Sequence, residues 1–319
     1  MANNILEIKN LQVEYIKNNN VFSDSEIIHA VNNLSLDIKE GEIFAIAGES
    51  GCGKSTLAKS IIKLQNVKNG KIIFNNKDIT NEKDLTEFRK QVQMIFQNPY
   101  SSLNPKMKII DILKEPLKVN TKLSNSDINS KILKLTKEIG INENCLNLYP
   151  HEFSGGQRQR IAIARALVLE PKFTIADEPV SALDVSIQAQ IINLLKNLKN
   201  NHNLTILFIS HDLSVIKYLS DRVAIMYLGE IVELGTTEEI FTNPKHPYTK
   251  ILLESAPSFS KKEKNLTLKG DLPSPTNLPS GCKFHTRCPY AMEKCKISSP
   301  QKTLLSQTHY TNCYLYENL

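Results

Sequence analysis

The sequence predicts an α/β fold with a mainly parallel β-sheet. Short apolar segments alternate with segments of helical periodicity along the chain, a pattern typical of parallel strands joined by helices. A glycine-rich segment at residues 48–56 (GESGCGKST) lies between a predicted strand and a predicted helix. Four cysteines within the last forty residues indicate a small cysteine-rich C-terminal extension.

The predicted elements follow in chain order. Strands are predicted at residues 6–8, 11–15, 34–38, 42–47 and 71–74, with a polar loop at residues 18–26 and a helix at residues 56–64. Residues 101–140 have a looser helical pattern that includes Ile132, Leu135 and Ile139. A strong helix at 154–169, a buried strand at 173–176, a helix at 187–198 and a buried strand at 204–209 come next. Residues 257–280 are rich in Lys, Pro and Ser, which predicts a linker before the extension.

Composition limits the class of protein. The 319 residues, 41% hydrophobic and 23% charged, are ordinary for a soluble globular chain with one large domain and an appendage, or two modest domains. The net charge of +6 is mild and no basic stripe with interleaved aromatic residues is present, so no nucleic-acid partner is expected. The first ten residues lack the pattern of a signal peptide, and every apolar stretch is short for a membrane span. We therefore expect a cytoplasmic protein that reaches the membrane only through a partner.

The glycine-rich segment matches a phosphate-binding loop. Its glycines allow backbone N–H groups to surround phosphate oxygens, Lys54 is expected to reach the β and γ oxygens, and the Ser55 hydroxyl is expected to coordinate Mg²⁺. The predicted nucleotide contacts of this loop are Gly48, Glu49, Ser50, Gly51, Cys52, Gly53, Lys54, Ser55 and Thr56.

Two carboxylates follow the apolar strand at 173–176. Asp177, at the end of a buried strand, is where a Mg²⁺-organising aspartate is expected in a phosphate-loop protein. Glu178 would then polarise the attacking water as general base. The alternative interpretation is an acidic turn before Pro179.

A second helix start of the phosphate-binding type occurs at residues 153–157 (FSGGQ). A serine and paired glycines that open a helix leave N–H groups and the positive end of the helix dipole directed at an anion. One nucleotide does not need two such sites from one chain. The second site is therefore predicted to contact a nucleotide held by another subunit.

Together with FSGGQRQR at residues 153–160, these residues resemble the ATP-binding cassette (ABC) family of transporter ATPases, from residue 5 to about residue 257. The resemblance implies a P-loop NTPase core with a mainly parallel sheet, an antiparallel β subdomain and a helical signature subdomain at about 98–165. It implies a nucleotide-binding domain at 1–257, followed by the linker and cysteine-rich extension at 258–319. One departure is Phe153, where the family usually has Leu; we expect no effect on function.

The resemblance also assigns roles to separate residues. Tyr15 corresponds to an aromatic residue that stacks on adenine, although a strand tyrosine half in the core is the alternative. Gln97 corresponds to the glutamine that senses Mg²⁺ and water and couples to the membrane subunit, and His211 to the histidine that contacts the γ-phosphate. The residues implied to contact the partner's ATP are Ser154, Gly155, Gly156 and Gln157.

Three further segments narrow the resemblance. Residues 149–152, 179–190 and 243–249 resemble the ATPases of oligopeptide and dipeptide importers, and the second ATPase subunit more than the first. This implies an ATP-hydrolysing subunit at the cytoplasmic face of the membrane, with a non-identical ATPase, two transmembrane permease subunits and an extracellular substrate-binding protein. The alternatives are a nickel importer ATPase, because those share much of this sequence, and a soluble ABC ATPase with a redox-sensing metal cluster.

The C-terminal cysteines are Cys282, Cys288, Cys295 and Cys313. Four thiols in a reducing compartment suit Zn²⁺ or an iron–sulfur cluster, and their spacings are wider than those of tight zinc knuckles. The resemblance to peptide-importer ATPases implies a [4Fe–4S] cluster. Plain buried thiols are the alternative.

Cys52 lies inside the phosphate loop, close to Lys54 and to a helix N-terminus. Thiol pKa values tend to fall in such places, which would make Cys52 reactive and its alkylation a block to nucleotide binding. The alternative is that Cys52 only fills a variable position of the loop.

Overall fold

The structure is a computed structural model that describes residues 3–17, 26–255 and 270–317. The predicted polar loop before Glu26 and the first part of the predicted linker, residues 257–269, lie outside the described residues. The chain forms two compact units, one of Met1–Asn81 with Ser210–Leu319 and the other of Glu82–Ile209. In the described part of the chain, no helix is both long enough and apolar enough to cross a bilayer.

The described strands are β1 (Asn4–Lys17), β2 (Glu26–Lys39), β3 (Ile43–Ala47), β4 (Asn69–Phe74), β5 (Lys77–Asp78), β6 (Val92–Ile95), β7 (Phe173–Asp177), β8 (Thr205–Ile209), β9 (Arg222–Tyr227), β10 (Glu230–Thr236), β11 (Thr303–Leu304) and β12 (Tyr310–Thr311). The described helices are α1 (Lys54–Ile61), α2 (Thr86–Gln91), α3 (Pro99–Ser102), α4 (Ile109–Asn120), α5 (Asn125–Glu138), α6 (Gly155–Leu167), α7 (Val185–His202), α8 (Leu213–Leu219), α9 (Thr237–Thr242), α10 (Pro247–Ser255) and α11 (Glu293–Ile297). Short 3-10 turns occur at Glu143–Asn147, Pro150–Glu152 and Tyr314–Tyr316.

The first unit contains an antiparallel sheet with the strand order β2-β1-β4-β5. Leu34, Leu36 and Ile38 of β2 are buried in alternation with more exposed residues, and Leu6 of β1 pairs with both Ile38 and Phe74. The sequence predicted two short strands where β1 is continuous. Asn10 has a left-handed φ of 49° and the register shifts after Ile8, so the strand is irregular there without ending.

The same unit holds a second set of paired strands. β3 and β9 run parallel, with Ile46 opposite Ala224, and β10 pairs antiparallel with β9. The C-terminal extension contributes β12, which pairs with β10 through Glu233 and Thr311, and β11 pairs with β12. The extension is thus joined to the strands of the first unit by a β-ladder, while residues 270–292 before α11 form no helix or strand.

A buried carboxylate connects three segments of this unit. The side chain of Glu233, with none of its surface exposed, accepts the N–H groups of Lys245 at 2.7 Å and His246 at 2.9 Å. Its Oε1 atom also lies 2.7 Å from Nε2 of His309, which is buried in the extension. β10, the segment that leads into α10, and the extension therefore share one polar anchor, and the hydrogen bonds offset the desolvation of the carboxylate.

The second unit is built on the parallel strands β6, β7 and β8. Ala176 of β7 faces Ile95 on one side and Phe208 on the other, and every residue of β7 and β8 is buried, as in parallel sheets covered on both faces. Helices α4 and α5 lie within the helical region predicted at 101–140, and α6 covers most of the helix predicted at 154–169. Ile132, Leu135 and Ile139 are buried, as their spacing predicts.

Replacement of Glu233 by Gln tests the anchor. Gln keeps the shape but offers one acceptor oxygen where three donors converge, so we expect a loss of about 3 kcal/mol in the free energy of unfolding. Urea unfolding measures the loss. The matched control is Glu238→Gln on the exposed face of α9, which should change stability by less than about 0.5 kcal/mol. Equal stability of the two variants would contradict the role given to Glu233.

Candidate nucleotide-binding site

The glycine-rich loop leaves β3 and enters α1 at Lys54. At Gly48 (φ 155°) a Cβ atom would lie 2.2 Å from the carbonyl oxygen of Met226, and at Gly53 (φ 106°) it would lie 2.1 Å from that of Ala30. Neither position admits a side chain, because the loop runs directly against other backbone. The helix begins two residues earlier than predicted, and its left-handed N-cap, Gly53, turns the loop into its first turn.

Lys54 is folded over this loop. Its side chain is buried, with 5% of the residue exposed, and Nζ donates to the carbonyl oxygens of Gly48 at 2.8 Å and Glu49 at 2.9 Å. A buried cation beside a glycine turn and the N-terminus of α1 forms an anion site, because the helix dipole and the ammonium act in the same direction. The residues present therefore fit a nucleotide phosphate group.

Two more predicted residues lie in the same unit. Tyr15 on β1 is half-buried, and its hydroxyl donates to the Thr56 hydroxyl in the first turn of α1 at 3.2 Å. His211 is exposed and follows Ser210, whose N–H donates to the Ile46 carbonyl of β3 at 3.3 Å. Both residues are thus tied to the elements that flank the loop, Tyr15 by its side chain and His211 through its neighbour.

The second unit brings Gln97 and Glu178 together. Gln97 Nε2 donates to Glu178 Oε2 at 3.0 Å and lies 3.5 Å from the Ser181 hydroxyl. Glu178 has a left-handed φ of 45°, a conformation that side-chain-bearing residues adopt at some energetic cost and that is frequent at functional sites. Asp177 directly before it ends β7 and is 5% exposed. The pair of Gln97 and Glu178 could not be read from the sequence, where the residues are 81 positions apart.

The FSGGQ segment opens α6 with a capping box. Ser154 Oγ accepts the N–H of Gln157 at 3.4 Å, and Gln157 Oε1 accepts the N–H of Ser154 at 3.0 Å. Two of the N–H groups predicted to face an anion are therefore satisfied within the segment. A Cβ at Gly156 would lie 2.6 Å from Cγ2 of Ile187, so α7 packs against the helix start, and Phe153 is buried.

The surroundings of Cys52 do not lower the pKa of its thiol, which favours the alternative that Cys52 only fills a position of the loop. Only 1% of Cys52 is exposed, and burial raises the pKa of its thiol, although Lys54 beside it acts in the opposite direction. Proximity to Lys54 and to the helix N-terminus was the sequence signal for a low pKa. Desolvation outweighs that signal because the side chain points into the core.

The four C-terminal cysteines converge. Cys282, Cys288, Cys295 and Cys313 line one small cavity together with His285, and all four are free thiols. Burial raises the pKa of Cys282 to about 12 and that of Cys313 to about 11. Among the described residues, no three His, Cys, Asp or Glu side chains are close enough together to ligate a single metal ion.

The structure also adds residues that sequence reasoning missed. Arg287 of the extension forms an ion pair with Glu49 of the loop at 3.0 Å, and the Tyr248 hydroxyl accepts the Glu49 N–H at 3.0 Å. The cysteine segment and the motif at 243–249 were noticed in the sequence. Their contact with the loop could not be predicted from the sequence, because Arg287 and Glu49 are 238 positions apart.

Comparison with known proteins identifies the family of this chain. Residues 31–181 match the family model described as ABC transporter, and residues 232–295 match the one described as oligopeptide/dipeptide transporter, C-terminal region. The oligopeptide transport ATP-binding protein AppF of Bacillus subtilis (strain 168) is 48% identical over 91% of this chain and 90% of that protein. The dipeptide transport ATP-binding protein DppF of Haemophilus influenzae is 44% identical over 93% of this chain and 92% of that protein.

A solved structure extends the similarity to three dimensions. A dimeric ATP-binding cassette in a post-hydrolysis state with ADP and Pi bound is 30% identical, with a TM-score of 0.65, over 73% of this chain and 98% of that chain. The present chain belongs to the ABC transporter family of ATPases, among its ATP-binding subunits.

The corrected reactivity of Cys52 predicts the order of alkylation. Iodoacetamide at pH 8 should modify the half-exposed Cys145 at least about tenfold faster than Cys52, because the Cys52 side chain is buried away from the reagent and burial raises the pKa of its thiol. Peptide mass spectrometry after timed quenching measures both rates. Faster modification of Cys52 would restore the original expectation.

Proposed function

We propose that this chain is the ATP-binding and ATP-hydrolysing subunit of an ABC importer for oligopeptides or dipeptides. The observation that carries the proposal is the phosphate loop, in which Lys54 is buried over glycines that admit no side chain. The peptide cargo is supported by the match of residues 232–295 to the C-terminal region of oligopeptide and dipeptide transporters and by the names of the relatives. A nickel importer is less favoured, because these matches are to peptide transporters.

The first unit binds the nucleotide in this proposal. The loop from Gly48 to Thr56 surrounds the phosphates, Lys54 exchanges its loop carbonyls for β- and γ-phosphate oxygens, and Ser55 supplies a hydroxyl ligand to Mg²⁺. Tyr15, held against the start of α1, stacks on the adenine, and His211 contacts the γ-phosphate. The anion-binding character of the loop supports this assignment.

The second unit supplies the carboxylates. Asp177 and Gln97 complete the ligands of Mg²⁺, directly or through water, and Glu178 takes the proton of the attacking water as general base. The hydrogen bond from Gln97 to Glu178 supports this assignment, because it orients the carboxylate and joins the glutamine that couples to the membrane subunit with the proposed base.

The partners follow from the second helix start. Ser154, Gly155, Gly156 and Gln157 complete the ATP site of a second, non-identical ATPase, and the exposure of Ser154 and Gln157 leaves them available to it. Two transmembrane permease subunits hold this pair at the cytoplasmic face of the membrane, and an extracellular protein delivers the substrate. Residues 1–257 form the nucleotide-binding domain, with its helical subdomain at about 98–165, and 258–319 the linker and extension.

We also propose that Cys282, Cys288, Cys295 and Cys313 hold a [4Fe–4S] cluster. Their convergence on one cavity supports a shared ligand, and cysteine thiolates are the ligands of [4Fe–4S] clusters. When bound, the group would keep the thiols deprotonated and link four segments of the extension.

Glu178→Gln tests the general base. The variant should still bind ATP, while hydrolysis falls by at least about a hundredfold, because the amide cannot accept the proton of water. Equilibrium binding and phosphate release in the assembled transporter measure the two effects. Glu143→Gln, an exposed carboxylate in the same unit, is the control and should leave hydrolysis unchanged. Normal turnover of Glu178→Gln would remove Glu178 from its role.

Metal analysis tests the cluster. Protein purified without oxygen should contain about four iron and four sulfide per chain and absorb visible light, and Cys295→Ser should lose most of both. If the protein contains one zinc per chain and no iron, the four cysteines hold Zn²⁺ and not a cluster. Absence of both metals would return the cysteines to plain buried thiols.

A further inference from the structure

The side chain of Glu49 is held by the C-terminal extension. Nη1 of Arg287 lies 3.0 Å from Oε2 and 3.2 Å from Oε1 of Glu49, and the ion pair is largely buried, with 7% of the Arg287 side chain and 22% of the Glu49 side chain exposed. The same nitrogen lies 3.4 Å from the Tyr227 hydroxyl. Arg287 is the residue directly before Cys288, so the cysteine-rich segment contacts the phosphate loop through a charge.

The backbone of Glu49 is held as well. The Tyr248 hydroxyl accepts the Glu49 N–H, and the Tyr248 ring belongs to an aromatic cluster with Tyr227 and Phe284. The ring centroids in this cluster are 4.7 to 5.3 Å apart, a packed arrangement that fixes the hydroxyl. Phe284 comes from the same segment as Arg287. One segment of the extension therefore positions Glu49 at both its side chain and its backbone.

The position of Glu49 creates an electrostatic problem for an anion site. Glu49 follows Gly48 in the loop, and its carbonyl oxygen is 2.9 Å from the Lys54 ammonium that is proposed to meet the phosphates. An unpaired carboxylate here would repel a triphosphate and compete with it for Lys54, because charges interact strongly where water is partly excluded. Arg287 neutralises that carboxylate and holds it in one orientation.

The ion pair between Arg287 and Glu49 is expected to contribute little to the stability of the fold. A buried ion pair gains little over an apolar pair of the same volume, because both ions lose their hydration. In addition, Nε of Arg287 is buried and has no hydrogen-bond partner among the described residues, which adds a cost that a purely structural contact would avoid. The arrangement is better explained by what it does to the loop.

We propose that Arg287 is a positioning residue for the nucleotide site: it neutralises and orients Glu49 so that the phosphate loop accepts ATP. This inference rests on the proposed ATP-binding function. It makes the cysteine-rich extension a support of the phosphate loop, since the segment from Cys282 to Cys288 carries both Phe284 and Arg287.

Charge removal on each side of the pair gives opposite effects. Arg287→Met leaves the carboxylate unpaired and should weaken ATP binding by between about fivefold and a hundredfold, the usual range of coupling between sites. Glu49→Gln leaves the arginine near the phosphates and should tighten ATP binding about threefold, a fraction of that coupling. The double variant should recover most of the affinity lost in Arg287→Met, because the repelling carboxylate is gone. Binding of ATP to the purified full chain measures all three.

The controls separate this inference from folding defects and from the proposed function. Lys302→Met removes an exposed cation of the extension and should leave ATP affinity unchanged, and thermal unfolding checks that each variant is folded. In the assembled transporter, Arg287→Met should raise KM for ATP while kcat changes less than about twofold, the pattern of a binding defect.

Several results would overturn the inference. They are wild-type ATP affinity in folded Arg287→Met, weaker ATP binding by Glu49→Gln than by the wild type, or a double variant that binds ATP as weakly as Arg287→Met. If Arg287→Met does not fold, the sign of the Glu49→Gln effect alone decides. Failure of the wild-type chain to bind ATP, with no difference from Lys54→Ala, would instead remove the proposed function.

Discussion

The first unit depends on one buried carboxylate, Glu233. It accepts the N–H groups of Lys245 and His246 and contacts His309, so a single side chain fixes the strand β10, the start of α10 and the C-terminal extension. A fully buried acid is tolerated only where donors surround it, and these donors come from segments that are distant in sequence. The placement of Tyr248 just after His246, and of the extension beside it, follows from this anchor.

The two helix starts of the phosphate-binding type are supported differently. The loop before α1 is confined by the backbone at Met226 and Ala30 and is contacted through Glu49 by the extension. The FSGGQ segment supports itself with a capping box, and α7 packs against Gly156 through Ile187. Lys54 is buried over the first, while Ser154 and Gln157 of the second are exposed. The two helix starts therefore differ in whether distant segments or local hydrogen bonds support them.

Two sequence expectations differ from the structure because of contacts made by distant parts of the chain. Cys52 was expected to ionise easily because of its neighbours in sequence, but its side chain points into the core and desolvation dominates. The sequence predicts two strands at 6–8 and 11–15, yet β1 is one strand whose pairing with β2 continues across the irregularity. In both cases the local pattern was correct, and the contacts made by the rest of the chain decided the outcome.

The sequence by itself determined the strand–loop–helix motif around Lys54, the parallel strands, the helix start at residues 153–157 and the family, because each depends on residues that are neighbours along the chain. The sequence also showed the four cysteines of the C-terminal extension, but it could not show that they line one cavity. Only the tertiary structure decided the bond from Gln97 to Glu178 and the ion pair between Arg287 and Glu49, which join residues 81 and 238 positions apart. Such pairs leave no periodic signal in one sequence, because long-range packing and not local spacing brings them together.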